Sequence, residues 1–245
     1  MTSKGTEPQR RRLLVQRSKG VSREDLLGRF IGQLDTLIPF LAISRADVFR
    51  LLQTEGHVWS DRDQQDSLPK TYKVYQKQVC HSAFLLGYSY FEAFLADLVR
   101  QIYLRNPKML PREKLLKFDE ILAAETYEGT LNTMVEKELL AIFYKSMEDV
   151  SEYFASKLRL QWPARERTSV VLASHLRNCI VHNNGRADRR LANLTHHKEG
   201  FEIALGEADV HHYGISARTL ARDLYGQAAR RYLGAGRRSP RRKRG

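Results

Sequence analysis

From about Lys70 to Arg105 the chain keeps one helical period for some ten turns. Tyr72, Tyr75, Val79, Ala83, Leu86, Gly87, Tyr90, Phe91, Phe94, Leu95, Leu98 and Ile102 recur at three- and four-residue steps. An apolar stripe of that length has to be covered by other elements, so it fixes a helical architecture before anything else is read. Asn106-Pro107 ends the helix, because the residue before a proline is driven out of the helical region.

The flanking text supplies the helices that would cover it. Ser22 with Asp25 reads as a capping box, and Leu26, Leu27, Phe30, Ile31, Leu34, Leu37, Ile38 and Leu41 form one stripe behind it. Ser44 and Asp47 repeat the cap signature before Val48, Leu51 and Leu52, which predicts a bend between Pro39 and Ser44. The stretch 57–67 is polar and loop-like. Pro111 opens a short helix with Leu115, Phe118 and Leu122 on one side. A helix is predicted over 131–160 with Met134, Leu139, Phe143, Met147, Val150, Phe154 and Leu158 inward, until Trp162-Pro163 breaks the chain. Another runs from about Arg167 to His182 and stops at Asn183-Asn184-Gly185, residues that tolerate the left-handed closing conformation. Phe201–Leu205 alternates like a strand, and 209–215 is expected to pair with it as a hairpin. Ser216 then caps a final helix bearing Leu220, Leu224, Ala228 and Leu233. The fold class is therefore mainly α, a bundle of about five to seven helices with a small β-hairpin appendage after the helix ending at His182. One domain covers 22–233, between a disordered basic arm at 1–21 and a disordered basic tail at 234–245.

The net charge of +13 is unevenly placed. Residues 1–23 hold seven Lys or Arg against Glu7, and residues 237–245 hold six with no acid, so the two ends account for nearly all of it. Within the body, 157–190 carries eight Lys or Arg against Glu166 and Asp188, and the rest is acidic on balance. Positive charge that attracts a phosphate backbone thus gathers at one segment and both tails, although Arg-rich tails also serve simply as solubilising ends. Cys80 and Cys179 lie in apolar segments without metal-type spacing and read as free buried thiols of a reducing compartment. No uninterrupted apolar run reaches the roughly 20 residues of a membrane span, and no secretory leader is visible, so the expected location is the cytoplasm, with no membrane partner.

The segment with chemistry in it is SHLRNCIVHNNGRADRR. Val170, Val171, Ala173, Leu176, Ile180 and Val181 are expected to anchor its helix in the core, which sets Arg177 on or beside the apolar face. A guanidinium there is costly unless it is paired or holds an anion. His182 falls at the helix end, where its side chain reaches solvent. Imidazole is the usual proton carrier near neutral pH and arginine the usual fork for phosphate, so the two form a minimal kit for cleaving RNA without a metal. Five residues turn a helix through about 140°, so the pair shares no stripe. Either His182 bends back past the helix end or a second copy of the chain completes the site. The plain alternative is a buried ion-pair arginine and a helix-capping histidine.

RNCIVHNNG at 177–185, preceded by the aromatic helix with YSYFEAFLADLV, resembles the HEPN superfamily of small helical domains. Their hallmark is R-x4-6-H, commonly with a polar residue after the arginine, and Asn178 stands there. The order of elements looks like the RiboL-PSP type, over roughly 70–233, or from 22 if the first helix belongs. The resemblance implies a metal-independent endoribonuclease with no cofactor, working as a homodimer on single-stranded RNA, as a toxin or an anti-phage defence effector. It assigns Arg177 and His182 as catalytic and Asn178 as supporting. It adds a cognate antitoxin protein as a candidate partner. Other members are regarded as non-catalytic modules that bind RNA or protein, which is the alternative.

Glu92 sits among Phe91, Phe94 and Leu95, and either orients Arg177 or points to solvent from the helix flank. His175, Asn183 and Arg186 surround the motif as candidate RNA contacts, or as surface decoration. His196-His197 and His211-His212 lack the spacing and partners of a metal site. The Tyr and Phe side chains of the long helix could stack bases, but they fit core packing better.

Overall fold

In the computed structural model the described residues are 26–45, 68–111, 116 and 118–234. The basic arm 1–21, the caps at Ser22 and Asp47, the stretch 46–67 and the tail from 235 lie outside them. Among the described residues there are eight α-helices: α1 Leu26–Arg45, α2 Leu68–Arg105, α3 Phe118–Ala124, α4 Tyr127–Phe143, α5 Met147–Ser156, α6 Ala164–His182, α7 Arg189–Thr195 and α8 Glu207–Arg231. A 3-10 turn, Pro107–Met109, follows α2.

The long helix is the spine. Ala83, Phe91, Leu95, Leu98, Val99 and Ile102 are fully buried, and α1, α4, α6 and α8 all pack along it. Phe84, Tyr88 and Tyr103 are buried beside most of the predicted stripe, whereas Leu86, expected inward, is substantially exposed. The α1 stripe contributes Leu26, Phe30, Leu34, Leu37 and Leu41, with Phe30 ringed by Phe91 and Phe94. The helix is continuous through Pro39 over the described span Leu26–Arg45. Trp162 meets Phe91 and Phe154 edge-on, so the predicted chain break also closes the core. By length and composition alone, α1 over Leu26–Ser44 and α2 over Tyr72–Arg105 could cross a bilayer, contrary to the reading from uninterrupted runs; in the bundle they are packed against each other.

Three expectations need correction. The helix over 131–160 is two, because Ser146 caps a new start by accepting from the Asp149 N–H at 3.2 Å. Phe118 and Leu122 of α3 face outward rather than inward. The third is the hairpin. Residues 209–215 begin α8: the Asp209 carboxylate accepts from the Gly206 N–H at 2.8 Å, and Val210, Tyr213, Ala217, Leu220, Ala221 and Leu224 form its buried face. Ser216, expected as a cap, is buried inside that helix. The extended residues 201–203 pair backward instead, with the turn that follows α6. Ala187 N–H donates to the Phe201 carbonyl at 2.9 Å and Ile203 N–H to the Gly185 carbonyl at 2.8 Å, around a single antiparallel bridge of Arg186 and Glu202. The eighth helix arises because α7 occupies what reads as a polar loop, with Asp188 as its cap.

Candidate functional site

The end of α6 is built by its turn. The Cys179 carbonyl accepts from both the Asn183 and Gly185 N–H groups, at 3.0 and 3.1 Å, while Asn184 and Gly185 take left-handed conformations with φ of +53° and +71°. This is the helix closure the Asn-Asn-Gly text predicts. Beneath it, Cys179 packs with Ala187, Leu191 and Ile203 in a small second core. Burial pushes the Cys179 thiol up and so makes it a poor nucleophile, and Cys80 is likewise buried in the main core. The turn rests on α2, where Gly185 lies over His81 and Lys77, and Lys77 is ion-paired with Glu202.

One turn earlier α6 forms a wall of an open cleft of about 640 Å³. The α2 helix and the α4–α5 junction supply the rest of its lining. Arg177 is half-buried here, and its Nη1 donates to Asn178 Oδ1 at 2.9 Å. Glu92 enters the same cleft from α2. Burial raises its pKa against the opposing pull of the Arg177 guanidinium and a hydrogen bond from the Tyr88 hydroxyl. Glu92 therefore faces Arg177 within electrostatic reach and does not point away to solvent. Tyr88 is itself buried and bonded to Ser174 of α6, so its hydroxyl sits where α2 and α6 meet.

His182 is the last residue of α6 and is exposed. It does not line the cleft, but it follows Asn178 by four residues and so lies one turn further along the same side. Val181, expected in the core, is 48% exposed. Arg177, Asn178, Val181 and His182 thus form one accessible strip at the end of α6, with the catalytic candidates at its two edges.

The remaining candidates separate. Asn183 is exposed, and its side chain bonds the Cys179 thiol. Arg186 is outside the cleft, donating from Nη1 to the Gly200 carbonyl at 3.2 Å. His175 is not on the surface: it is 5% exposed, and its Nε2 meets Glu148 Oε1 at 2.9 Å, tying α6 to α5. Burial would raise the Glu148 carboxyl, but its own backbone N–H, His175 and Arg190 outweigh that and hold it below the ordinary range. Sequence reading missed Tyr88, Ser174 and Lys145, which line the cleft together with Arg190 of the basic segment 157–190. Tyr88 and Ser174 had a findable signal, since each lies one helical turn before a candidate, Glu92 and Asn178. Lys145 had none, because nothing local says that the break before α5 lines a cleft with α6 and α7.

Among the described residues no group of three His, Cys, Asp or Glu side chains is placed to hold a metal ion. His196 closes α7 in a left-handed conformation, His197 bonds the Thr195 carbonyl at 2.7 Å, and His211 and His212 are exposed on α8. No family model matches the chain, and neither a curated protein nor a solved structure matches it.

Proposed function

We propose that this chain is a metal-independent endoribonuclease of HEPN type, cutting single-stranded RNA with Arg177 and His182 at a homodimer interface in the cytoplasm. The observation that carries it is the strip at the end of α6. A half-buried guanidinium in the same cleft as Glu92 and an exposed imidazole at the end of the helix flank an accessible surface that includes Val181, an apolar side chain suited to contact with a second copy. In the reaction, the imidazole of one His182 takes the proton of a 2′-hydroxyl as that oxygen attacks the adjacent phosphorus. Arg177 neutralises the charge growing on the non-bridging oxygens. The bond to the 5′-oxygen breaks, and the imidazolium of the second copy returns a proton to it, leaving a 2′,3′-cyclic phosphate and a 5′-hydroxyl. Asn178 holds Arg177 from the side, and Glu92 sets its charge environment. A toxin or defence effector is the biological role that fits such a chemistry, with a cognate antitoxin as its restraining partner.

The test is cleavage of RNA by the purified protein in a chelator, with the product ends identified, beside bacterial toxicity on expression. Arg177→Ala and His182→Ala are each expected to remove both. Toxicity and cleavage undiminished in both variants would overturn the catalytic reading and leave a silent module that binds RNA or protein.

A further inference from the structure

The cleft holds more than its Arg177 and Glu92 corner. At the α4–α5 junction, Tyr144 closes α4 and is 94% exposed, with the exposed cation Lys145 directly after it, and both line the cleft. On the α6 side stand Arg177 and, from α7, Arg190. Arg100, at the far end, is ion-paired with Glu136 and Asp97 and so is largely spent. The cleft is therefore lined by an exposed aromatic ring and by cations from the α4–α5 junction, α6 and α7, Arg190 lying also within electrostatic reach of Glu148. The volume, about 640 Å³, is within the range of roughly 300 to 1,000 Å³ that takes a ligand of nucleotide size.

We propose that this cleft is a binding track for single-stranded RNA, in which Tyr144 stacks on a base while Lys145 and Arg190 take the flanking phosphates. Three observations point to this occupant. An almost fully exposed tyrosine offers a π-face that every base can use, irrespective of sequence. The cations come from different elements that line one cleft, Lys145 from the α4–α5 junction and Arg190 from α7, so a backbone lying in it meets positive charge from both. A duplex keeps its bases stacked inside and presents no face to Tyr144, so the arrangement selects single strands. The track ends at Arg177 and Asn178, which delivers the strand to the strip bearing His182. The proposal rests on reading the chain as a protein that acts on RNA. It adds which residues choose the strand.

Binding of a fluorescein-labelled 2′-O-methyl oligonucleotide, which has no free 2′-hydroxyl and cannot be cut by the proposed chemistry, separates this track from catalysis. The readout is fluorescence anisotropy, with the full-length chain. Tyr144→Ala is expected to weaken binding about tenfold or more, and Tyr144→Phe to restore it to within about threefold, because the ring is kept. Lys145→Gln with Arg190→Gln is expected to lower the magnitude of the salt slope by about 1.4, from two lost phosphate contacts on a single strand. The same sequence as a duplex is expected to bind more weakly than the single strand. Tyr144→Ala binding like the parent, or a duplex binding as well as the single strand, would overturn the track, as would a change in oligomeric state with RNA affinity unmoved. If natural RNA is cut while Tyr144→Ala leaves binding and KM alone, the track falls and the nuclease stands. If the oligonucleotide result holds but no RNA is cut, the track stands and the nuclease falls.

Discussion

Replacing Gly185 by alanine probes the turn that closes α6 and so places His182. Gly185 has φ of +71°, and its N–H and carbonyl are both used, by the Cys179 carbonyl and the Ile203 N–H. A Cβ added there would lie 3.5 Å from His81 Cε1 and 3.9 Å from Lys77 Nζ, ordinary van der Waals distances. The cost of alanine is therefore conformational, not steric. An L-residue in the left-handed region costs about 1 to 2 kcal/mol. For a chain of this size that lowers the unfolding midpoint by roughly 2 to 8 °C. The assay is thermal unfolding followed by far-ultraviolet circular dichroism at pH 8. Asparagine adopts this conformation more readily than alanine, so Gly185→Asn is expected to retain more stability although its side chain is larger. Gly185→Ala as stable as the parent, or Gly185→Asn worse than Gly185→Ala, would refute the argument, the second because it would show crowding in control. Any cleavage activity is expected to fall in the order of the stabilities, since the same turn positions the imidazole.

Burial, reinforced by Lys77, lowers the pKa of His81 against the Ile203 carbonyl and Glu202, which favour its charged form. A histidine lowered on folding contributes stability that is complete above its unfolded value near 6.5 and is lost as pH falls through the folded one. Urea midpoints should therefore decline as pH falls below 6.5, and His81→Leu should flatten that decline; an unchanged pH profile in the variant would assign it to other groups. If the basic tails supply RNA affinity, removing residues 1–20 and 237–245 should flatten the salt dependence of binding, and an unchanged slope would leave them without that role.

Much of the fold was legible locally. The extent of α2, its stop before Pro107, the break at Trp162-Pro163 and the closure of α6 at Asn183-Asn184-Gly185 all follow from period, proline chemistry and left-handed tolerance, each a property of neighbouring residues. The candidate pair was legible for the same reason, being five residues of one helix. What sequence could not determine is which of two local patterns a tertiary partner selects. Residues 209–215 satisfy an alternating pattern and a helical one. Tyr213 lies against Phe84 and Tyr88 of α2, and that packing buries the helical face. In the same way Glu92 turns toward Arg177 because α6 lies beside α2, and His175 turns inward because Glu148 of α5 waits there. The sequence by itself determined where α2 runs and stops and where α6 closes, since those depend on residues within a turn or two. Only the tertiary structure decided which polar groups come near one another, since a charge's neighbours depend on elements brought together from 85 and 27 positions away: Glu92 within electrostatic reach of Arg177, and Glu148 bonded to His175.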